Sequence, residues 1–302
     1  MVMERDYRQV GTLRERVLRK IGRCRMQFIP MPVLRKKRLS VVFSLLNRGG
    51  HRLENCLASL SNQTIPRESY EIIICDFGSD AEHAMELRQV CRRYGARLIC
   101  LNRAGELFSR SLCLNTATKA TDESREYVLQ ADVDVIFGPR TIEQVLRASL
   151  FFGPAFVRCG VCWLNAEAEP VLQHFRYPQD FRTLAGFCGR RRSGMGACMC
   201  LPRAWLFKVR GLDERFRYYG YEDWDLNKRA HLDGLADVGI ADWTRIYHQW
   251  HQPTTDLSKV APEERERRQK CIEEAWDLFR TETSLVRNPT GWVADFEEIA
   301  LR

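Results

Sequence analysis

From residue 39 onward, short apolar runs alternate with stretches of helical periodicity. Residues 39–46 (LSVVFSLL) read as a buried strand, followed by the turn Asn47-Arg48-Gly49-Gly50 and a helix over 51–61. Residues 70–76 (YEIIICD) give a second strand, closed by Phe77-Gly78-Ser79-Asp80 before a helix over 81–94. A third strand is expected at 97–101, a helix at 109–120, and a further buried strand at 128–137 (VLQADVDVIF). Strands alternating with helices predict an α/β fold, a largely parallel sheet flanked by helices, with ligands at the carboxyl ends of the strands. Asn47, Asp76, Asp132 and Asp134 stand at or near such ends.

Beyond Pro139 the pattern predicts an apolar helix over 141–152, less legible strands over 155–164, and a loop holding Pro170 and His174. Residues 188–196 (CGRRRSGMG) read as a loop, either one that closes over phosphates or a solvated one. Residues 261–279 predict a charged amphipathic helix whose sparse apolar face is Ile272, Ala275, Trp276 and Phe279. Residues 288–302 read as a tail, and neither of these last segments carries a recognisable chemistry.

Composition adds three constraints. At 302 residues and 45% hydrophobic content there is ample material for a core. The net charge of +8 gathers in a basic extension over 1–38. There Val10, Leu13, Val17, Leu18 and Ile21 recur at helical spacing, so a helix ending before Pro30 and Pro32 is expected, lying on an anionic membrane surface or against the domain. The 12 cysteines sit mainly inside apolar patterns, as Cys56, Cys75, Cys100 and Cys113 do, which fits reduced cytosolic thiols. Cys159 and Cys162, and Cys198 and Cys200, lack the matching second pair that zinc requires. With no apolar run of about eighteen residues and no apolar signal core, a cytoplasmic protein is expected, soluble or peripheral at the inner face of the membrane.

The candidate chemistry begins with Asp132 and Asp134. Burying two carboxylates costs several kcal/mol unless a cation or strong donors compensate. In one strand both would fall on the same face, spaced for a shared ion or for a ribose and an ion; alternatively they cap a strand end and face water. Glu222 and Asp223 begin a predicted helix, whose dipole favours their ionised form, although capping alone accounts for such a pair. Tyr218, Tyr219 and Tyr221 flank Gly220, giving aromatic faces suited to a sugar and a backbone that a ligand can approach.

Asn47-Arg48 after a first strand, D-F-G-S-D after a second and D-V-D in a later one resemble a family 2 glycosyltransferase of the nucleotide-sugar-binding A fold. Phe108 to Ala117 (FSRSLCLNTA) is similar to the F-x-R-x-x-x-L-N-x-G segment of the β-1,4-galactosyltransferases, with Ala117 in place of the glycine. Residues 195–230 resemble the galactosyltransferase carboxyl-terminal segment through Gly196, Trp205, Gly211, Asp213, Glu214, Phe216, Tyr219, Gly220, Tyr221, Glu222, Asp223, Asp225, Leu226 and Arg229. That segment usually carries a tryptophan and more glycine around 218–221, which leaves the sugar open.

The resemblance implies one A-fold domain over 39–253, with a nucleotide-binding half at 39–137 and an acceptor and catalytic half at 138–253, followed by a helical extension over 254–302. It implies that Asn47, Arg48, Asp76, Arg110 and Asp132 hold a nucleoside diphosphate sugar. Asp134 with His248 or His251 would hold Mn²⁺, or Mg²⁺, a donor set that suits those ions. Asp223 would be the base, Glu222 would hold sugar hydroxyls, and Tyr219, Gly220 and Tyr221 would meet the acceptor. The expected reaction is inverting transfer from a UDP-sugar such as UDP-galactose or UDP-N-acetylhexosamine to a glycan or glycolipid hydroxyl. The competing readings are a retaining N-acetylgalactosaminyltransferase-like enzyme and a catalytically silent glycan- or nucleic-acid-binding member. The intact acidic set favours an enzyme, with no nucleic acid partner expected.

Overall fold

Two apolar surfaces back to back organise the chain, because the strands at the centre are buried on both faces. The computed structural model describes residues 24–36, 38–192, 194–252, 258, 260–293 and 295–301, so the helix expected over Val10 to Ile21 lies outside the described residues. Strands β1 (Leu39–Leu45), β2 (Tyr70–Asp76), β3 (Arg97–Cys100) and β4 (Tyr127–Asp132) pair in parallel in the order β4-β1-β2-β3. Helices α1 (Gly50–Ser61), α2 (Ala81–Tyr94) and α3 (Arg110–Lys119) connect them.

Side chains alternate along each strand, so Val41, Phe43, Ile72 and Ile74 pack with Leu53, Leu57 and Leu87 on one face. Val42, Ile73 and Cys75 pack with Cys113, Leu114 and Ala117 on the other. Each such side chain contributes roughly 1.5–3 kcal/mol on burial. Asp80 caps α2 by accepting from the His83 N–H at 3.0 Å, and Ser109 caps α3 by accepting from the Leu112 N–H at 3.2 Å.

The expected strand over 128–137 divides in two. Strand β4 stops at Asp132, and β5 (Val135–Phe137) enters a second sheet of order β5-β11-β7-β8. The ladder of β4 with β1 runs out at Asp132, and β5 takes an antiparallel partner instead. Asp132 and Asp134 therefore straddle a bend rather than sharing one strand face, and a periodicity argument has no purchase on such a bend.

Helix α4 (Thr141–Phe152) leads to β6 (Ala155–Arg158) and β7 (Val161–Leu164), which lie in different sheets. The segment expected to be a loop at 188–196 opens as a strand, β8 (Cys188–Arg192), antiparallel to β7 with Arg190 opposite Trp163 and Arg191 opposite Cys162. Its arginines belong to the edge of the sheet, where charge is compatible with an unpaired ladder. Strand β9 (Cys198–Pro202) is antiparallel to β4 and β6, and β10 (Ala236–Gly239) follows helices α5 (Arg203–Val209) and α6 (Glu222–Leu232). Strand β11 (Ile246–His248) completes the small sheet.

Helix α7 (Pro262–Thr281) precedes the segment read as a tail, which instead supplies β12 (Glu297–Glu298) to the edge of the large sheet beside β3. Among the described residues the large sheet has the order β10-β6-β9-β4-β1-β2-β3-β12, mixed but mostly parallel. At the other end of the chain, the buried Arg147 pairs with Glu143 and donates to the carbonyls of Met26, Gln27 and Ile29, docking that segment on α4. All twelve cysteines are free thiols and most are buried. Among the described residues no helix is long and apolar enough to cross a membrane.

Gly194 joins β8 to β9 at φ +75°, and a Cβ there would collide with the carbonyl oxygen of Cys159. Gly194→Ala is expected to destabilise the fold by about 2 kcal/mol or more, read as a lowered urea midpoint with an unchanged slope.

Candidate active site

The bend between β4 and β5 places Asp134 in the interior, where its carboxylate meets three cationic or potentially cationic groups. Oδ2 accepts from Arg48 Nη1 at 2.7 Å and lies 3.2 Å from His251 Nε2; Oδ1 lies 3.2 Å from His248 Nε2. Burial opposes ionisation of Asp134, but His248, the hydrogen bond from His251 and Arg48 outweigh it and hold the carboxyl well below the usual carboxylate range. His251 is raised by its bond to Asp134.

The ligand atoms of Asp134, His248 and His251 all lie within 4.8 Å of one another. Nδ1 of His248 sits 2.9 Å from the Gln249 carbonyl, and Nδ1 of His251 sits 2.7 Å from that of Gln252. Carbonyls only accept, so each Nδ1 carries a proton, and each Nε2 faces Asp134, where an imidazole that gives up its Nε2 proton can bind a cation. Asp134 Oδ1 is buried with no hydrogen-bond donor among the described residues. One carboxylate with an imidazole nitrogen against each of its oxygens fits a divalent ion of the Mn²⁺ type.

Residues that the sequence reading missed hold this cluster. Trp163 of β7 stacks on His248 at 3.7 Å and 14°. Gln249 is fully buried; its N–H donates to the Asp134 carbonyl, its amide donates to the Arg52 carbonyl, and it accepts from Asn55. A glutamine inside the apolar pattern IYHQ was the available signal, since a buried amide must find partners.

At the end of β2, Asp76 is buried and accepts from Ser79 N–H at 3.0 Å, Ser79 Oγ at 2.7 Å and Gly78 N–H at 3.2 Å. Its carboxylate thus shapes the turn after the strand. Asn47, at φ +49°, closes the neighbouring turn onto the same segment: its N–H donates to Ser79 Oγ and its side chain accepts from Asp80 N–H.

Arg110, the first residue of α3, links the two acidic ends of the site. It donates to Asp132 at 3.2 Å and to the Gly196 carbonyl, and Nη1 lies 3.6 Å from Glu222 with no hydrogen-bond partner among the described residues. Burial disfavours its charge, but Asp132, Glu222 and Asp223 together keep it firmly protonated. Asp223 is half-buried at the start of α6, and burial, then Glu222, push its carboxyl up to about 7 against the pull of Arg110. Gly196, at φ +81°, lies directly beneath it: a Cβ there would stand 2.8 Å from Asp223 Oδ2. Arg110 thereby joins Asp132, two residues before Asp134, to Glu222 beside Asp223.

The tyrosine segment divides its roles. Tyr221, expected to meet an acceptor, stacks its ring on Phe279 of α7 at 5.5 Å and 17°, with Trp276 at 5.2 Å. At φ +69° it is the residue that turns the chain into α6, and stacking on α7 holds that turn. Tyr219 remains exposed, and the position of a Cβ on Gly220 has no atom within 4 Å.

Behind the acidic pair lies a buried ionic cluster of Asp213, Asp225, Arg229 and Arg287. Arg229 Nε donates to Asp225 Oδ2 at 2.8 Å, Arg287 Nη2 to Asp225 Oδ1 at 2.6 Å, and Arg287 Nε lies 3.2 Å from Asp213 Oδ2. Gly211, at φ +64°, leaves room for Asn115, which accepts from Leu212 N–H and donates to Glu214 and the Leu212 carbonyl. Several residues on which the galactosyltransferase resemblance rests thus build the frame around the site. Arg287, in the stretch LVRNP, carried no sequence signal for this role.

The glycosyl transferase family 2 model matches residues 40–196, and a model described as the N-terminal domain of galactosyltransferase matches residues 172–252. The chain is 26% identical over 228 residues to the validoxylamine A glucosyltransferase of Streptomyces hygroscopicus subsp. jinggangensis (strain 5008), covering 65% of this chain and 52% of that protein. It is 26% identical over 207 residues to chondroitin sulfate synthase 3 of Mus musculus, covering 62% of this chain and 22% of that protein. It therefore spans about half the length of the first relative and far less of the second. Among solved structures, the mannosyltransferase PcManGT from Pyrobaculum calidifontis in complex with GDP-Man and Mn²⁺ aligns with a TM-score of 0.52 at 16% identity, covering 89% of this chain and 72% of that one. S. aureus TarS in complex with UDP-GlcNAc aligns with a TM-score of 0.52 at 15% identity, covering 79% and 66%. At these identities the likeness establishes the shared A fold.

Removing one member of the ionic cluster leaves an unbalanced buried charge. Arg287→Ala is expected to cost about 3–5 kcal/mol, measured by chemical denaturation, and Arg287→Lys less.

Proposed function

The chain belongs to glycosyl transferase family 2, and on that premise we propose that it moves a sugar with inversion from a UDP-sugar to a hydroxyl of a glycan or glycolipid. The observation that carries this reading is Arg110 placed between Asp132 and Glu222, which joins the donor end of the site to the acceptor end. The Mn²⁺ and GDP-Man bound to the Pyrobaculum neighbour and the UDP-GlcNAc bound to TarS support a nucleoside diphosphate donor. The galactosyltransferase match favours UDP-galactose or a UDP-N-acetylhexosamine.

In this reading Asn47, Arg48 and Asp76 shape the nucleotide side, and Asp132 meets the ribose. Asp134, His248 and His251 would hold Mn²⁺, with Mg²⁺ as substitute, and the ion would supply positive charge beside the diphosphate. The unpaired Nη1 of Arg110 adds a fixed positive charge aimed at anionic oxygen. Glu222 holds sugar hydroxyls while Asp223, with a carboxyl near neutrality, takes the proton of the attacking hydroxyl on the face opposite the diphosphate. Gly196 keeps the space beneath that carboxylate clear.

Asp223→Asn is expected to lower kcat by about a hundredfold or more with donor binding intact, since an amide cannot accept the proton. Because the working form is the carboxylate and its pKa is raised to about 7, kcat/KM should fall roughly tenfold per unit as pH drops below about 7 and level off above it. A pH profile that stays flat between 5 and 8 removes Asp223 from this role. Chelation should abolish UDP release from UDP-sugars, with Mn²⁺ restoring it in the wild type and failing to do so in Asp134→Ala. Donor turnover that survives chelation counts against the metal.

A further inference from the structure

Helix α7 lies beyond both family matches, yet it packs onto the first residues of the helix that bears Asp223. Phe279 takes the face of Tyr221 and Lys228 Nζ donates to the carbonyls of Phe279 and Glu282, so Tyr221 and Lys228 of α6 both meet α7. Trp224 precedes Lys228 by four residues, which puts it on the same side of α6. It is 38% exposed, Trp276 is 46% exposed although its ring touches Tyr221, and Tyr219 is 50% exposed. Beside them the backbone at Gly220 is open. Large aromatic surface is thus left in water next to a half-buried carboxylate, an arrangement that core packing does not require.

The surroundings of Trp276 select the kind of ligand. At helical spacing its apolar neighbours Ile272 and Phe279 are only partly exposed, while Glu273, Asp277 and Arg280 around it are exposed and charged, so the ring is the main exposed apolar face of α7 within a polar rim. A protein partner would need a contiguous apolar patch. A pyranose ring presents a flat C–H face edged by hydroxyls, which an indole with carboxylates and a guanidinium around it matches.

The geometry points to an acceptor subsite on α7, with Trp276 as its platform and Trp224 between it and Asp223, that takes the sugar next to the reacting one. This rests on the transferase reading above and deepens it: the acceptor is an oligosaccharide chain of at least two sugars. Trp276 is then a specificity-determining residue supplied from outside the segments that match the family models. Tyr221 serves it indirectly, by seating α7 against α6.

The test uses the full chain, Mn²⁺, the UDP-sugar that it hydrolyses fastest, and chitin-derived and chondroitin-derived ladders of one to four sugars as acceptors. In the wild type KM should fall by about five- to tenfold from the one-sugar to the longer members of a ladder, the range that one aromatic stack supplies. Trp276→Leu, which keeps apolar volume against Tyr221 without a π face, should abolish that gain while leaving donor hydrolysis and the one-sugar KM unchanged. Trp276→Phe should keep most of it. A Trp276→Leu enzyme that retains the length dependence, or a wild type without any, overturns the subsite. A wild type that hydrolyses no UDP-sugar overturns the transferase reading itself.

Discussion

Two carboxylates and two guanidinium groups buried together, Asp213 and Asp225 with Arg229 and Arg287, are the constraint on which the rest of the site depends. Any one of these charges alone in the interior would cost several kcal/mol, so the four are stable only as a set with their geometry intact. The set draws on three separate pieces of chain: the turn after α5, the inner face of α6, and the segment after α7. Arg215 and Glu282 extend it towards the surface through an ion pair at 2.6 Å. Asp225 and Arg229 point inward on α6, one turn along from Glu222, whose carboxylate lies 3.6 Å from Arg110. The start of α6, which bears the acidic pair, is thereby tied to the buried charges one turn further along.

The site holds carboxylates in opposite states by environment alone. Around Asp134, two imidazoles and a guanidinium overcome the effect of burial and favour the ionised form, suited to a permanent ligand. At Asp223, burial and a neighbouring carboxylate win over the guanidinium of Arg110, leaving a group that can exchange its proton near neutrality. In the proposed function this difference would separate metal binding from proton transfer. Arg110 meets Asp132 and Glu222, each close in sequence to one of these two carboxylates.

The segments at the edges of the chain contribute more than their composition suggests. The family matches end at residue 252, yet Phe279 seats the turn into α6, Arg287 closes the ionic cluster, and Glu298 pairs with Arg97 beside the large sheet. Each of these acts through a partner distant in sequence, and local pattern gives no warning of such partners.

Alternation of apolar runs and helical periodicities sufficed for the α/β class and its central elements, because strands buried on both faces and amphipathic helices are local consequences of side-chain chemistry, while the motif resemblance implied the A fold. Strand β2, helix α2 and helix α4 lie where the periodicity puts them. The acidic residues, the two histidines and Arg110 were also legible, since these residue types recur in a recognisable order. Three matters were decided only in three dimensions: that the D-x-D segment breaks between two sheets, that residues 188–192 pair as an edge strand, and that Tyr221 stacks on α7. The physical reason is the same in each case. A bend, an edge pairing and a ring stack are energies between segments far apart in the chain, and a sequence read one window at a time contains only one of the two partners.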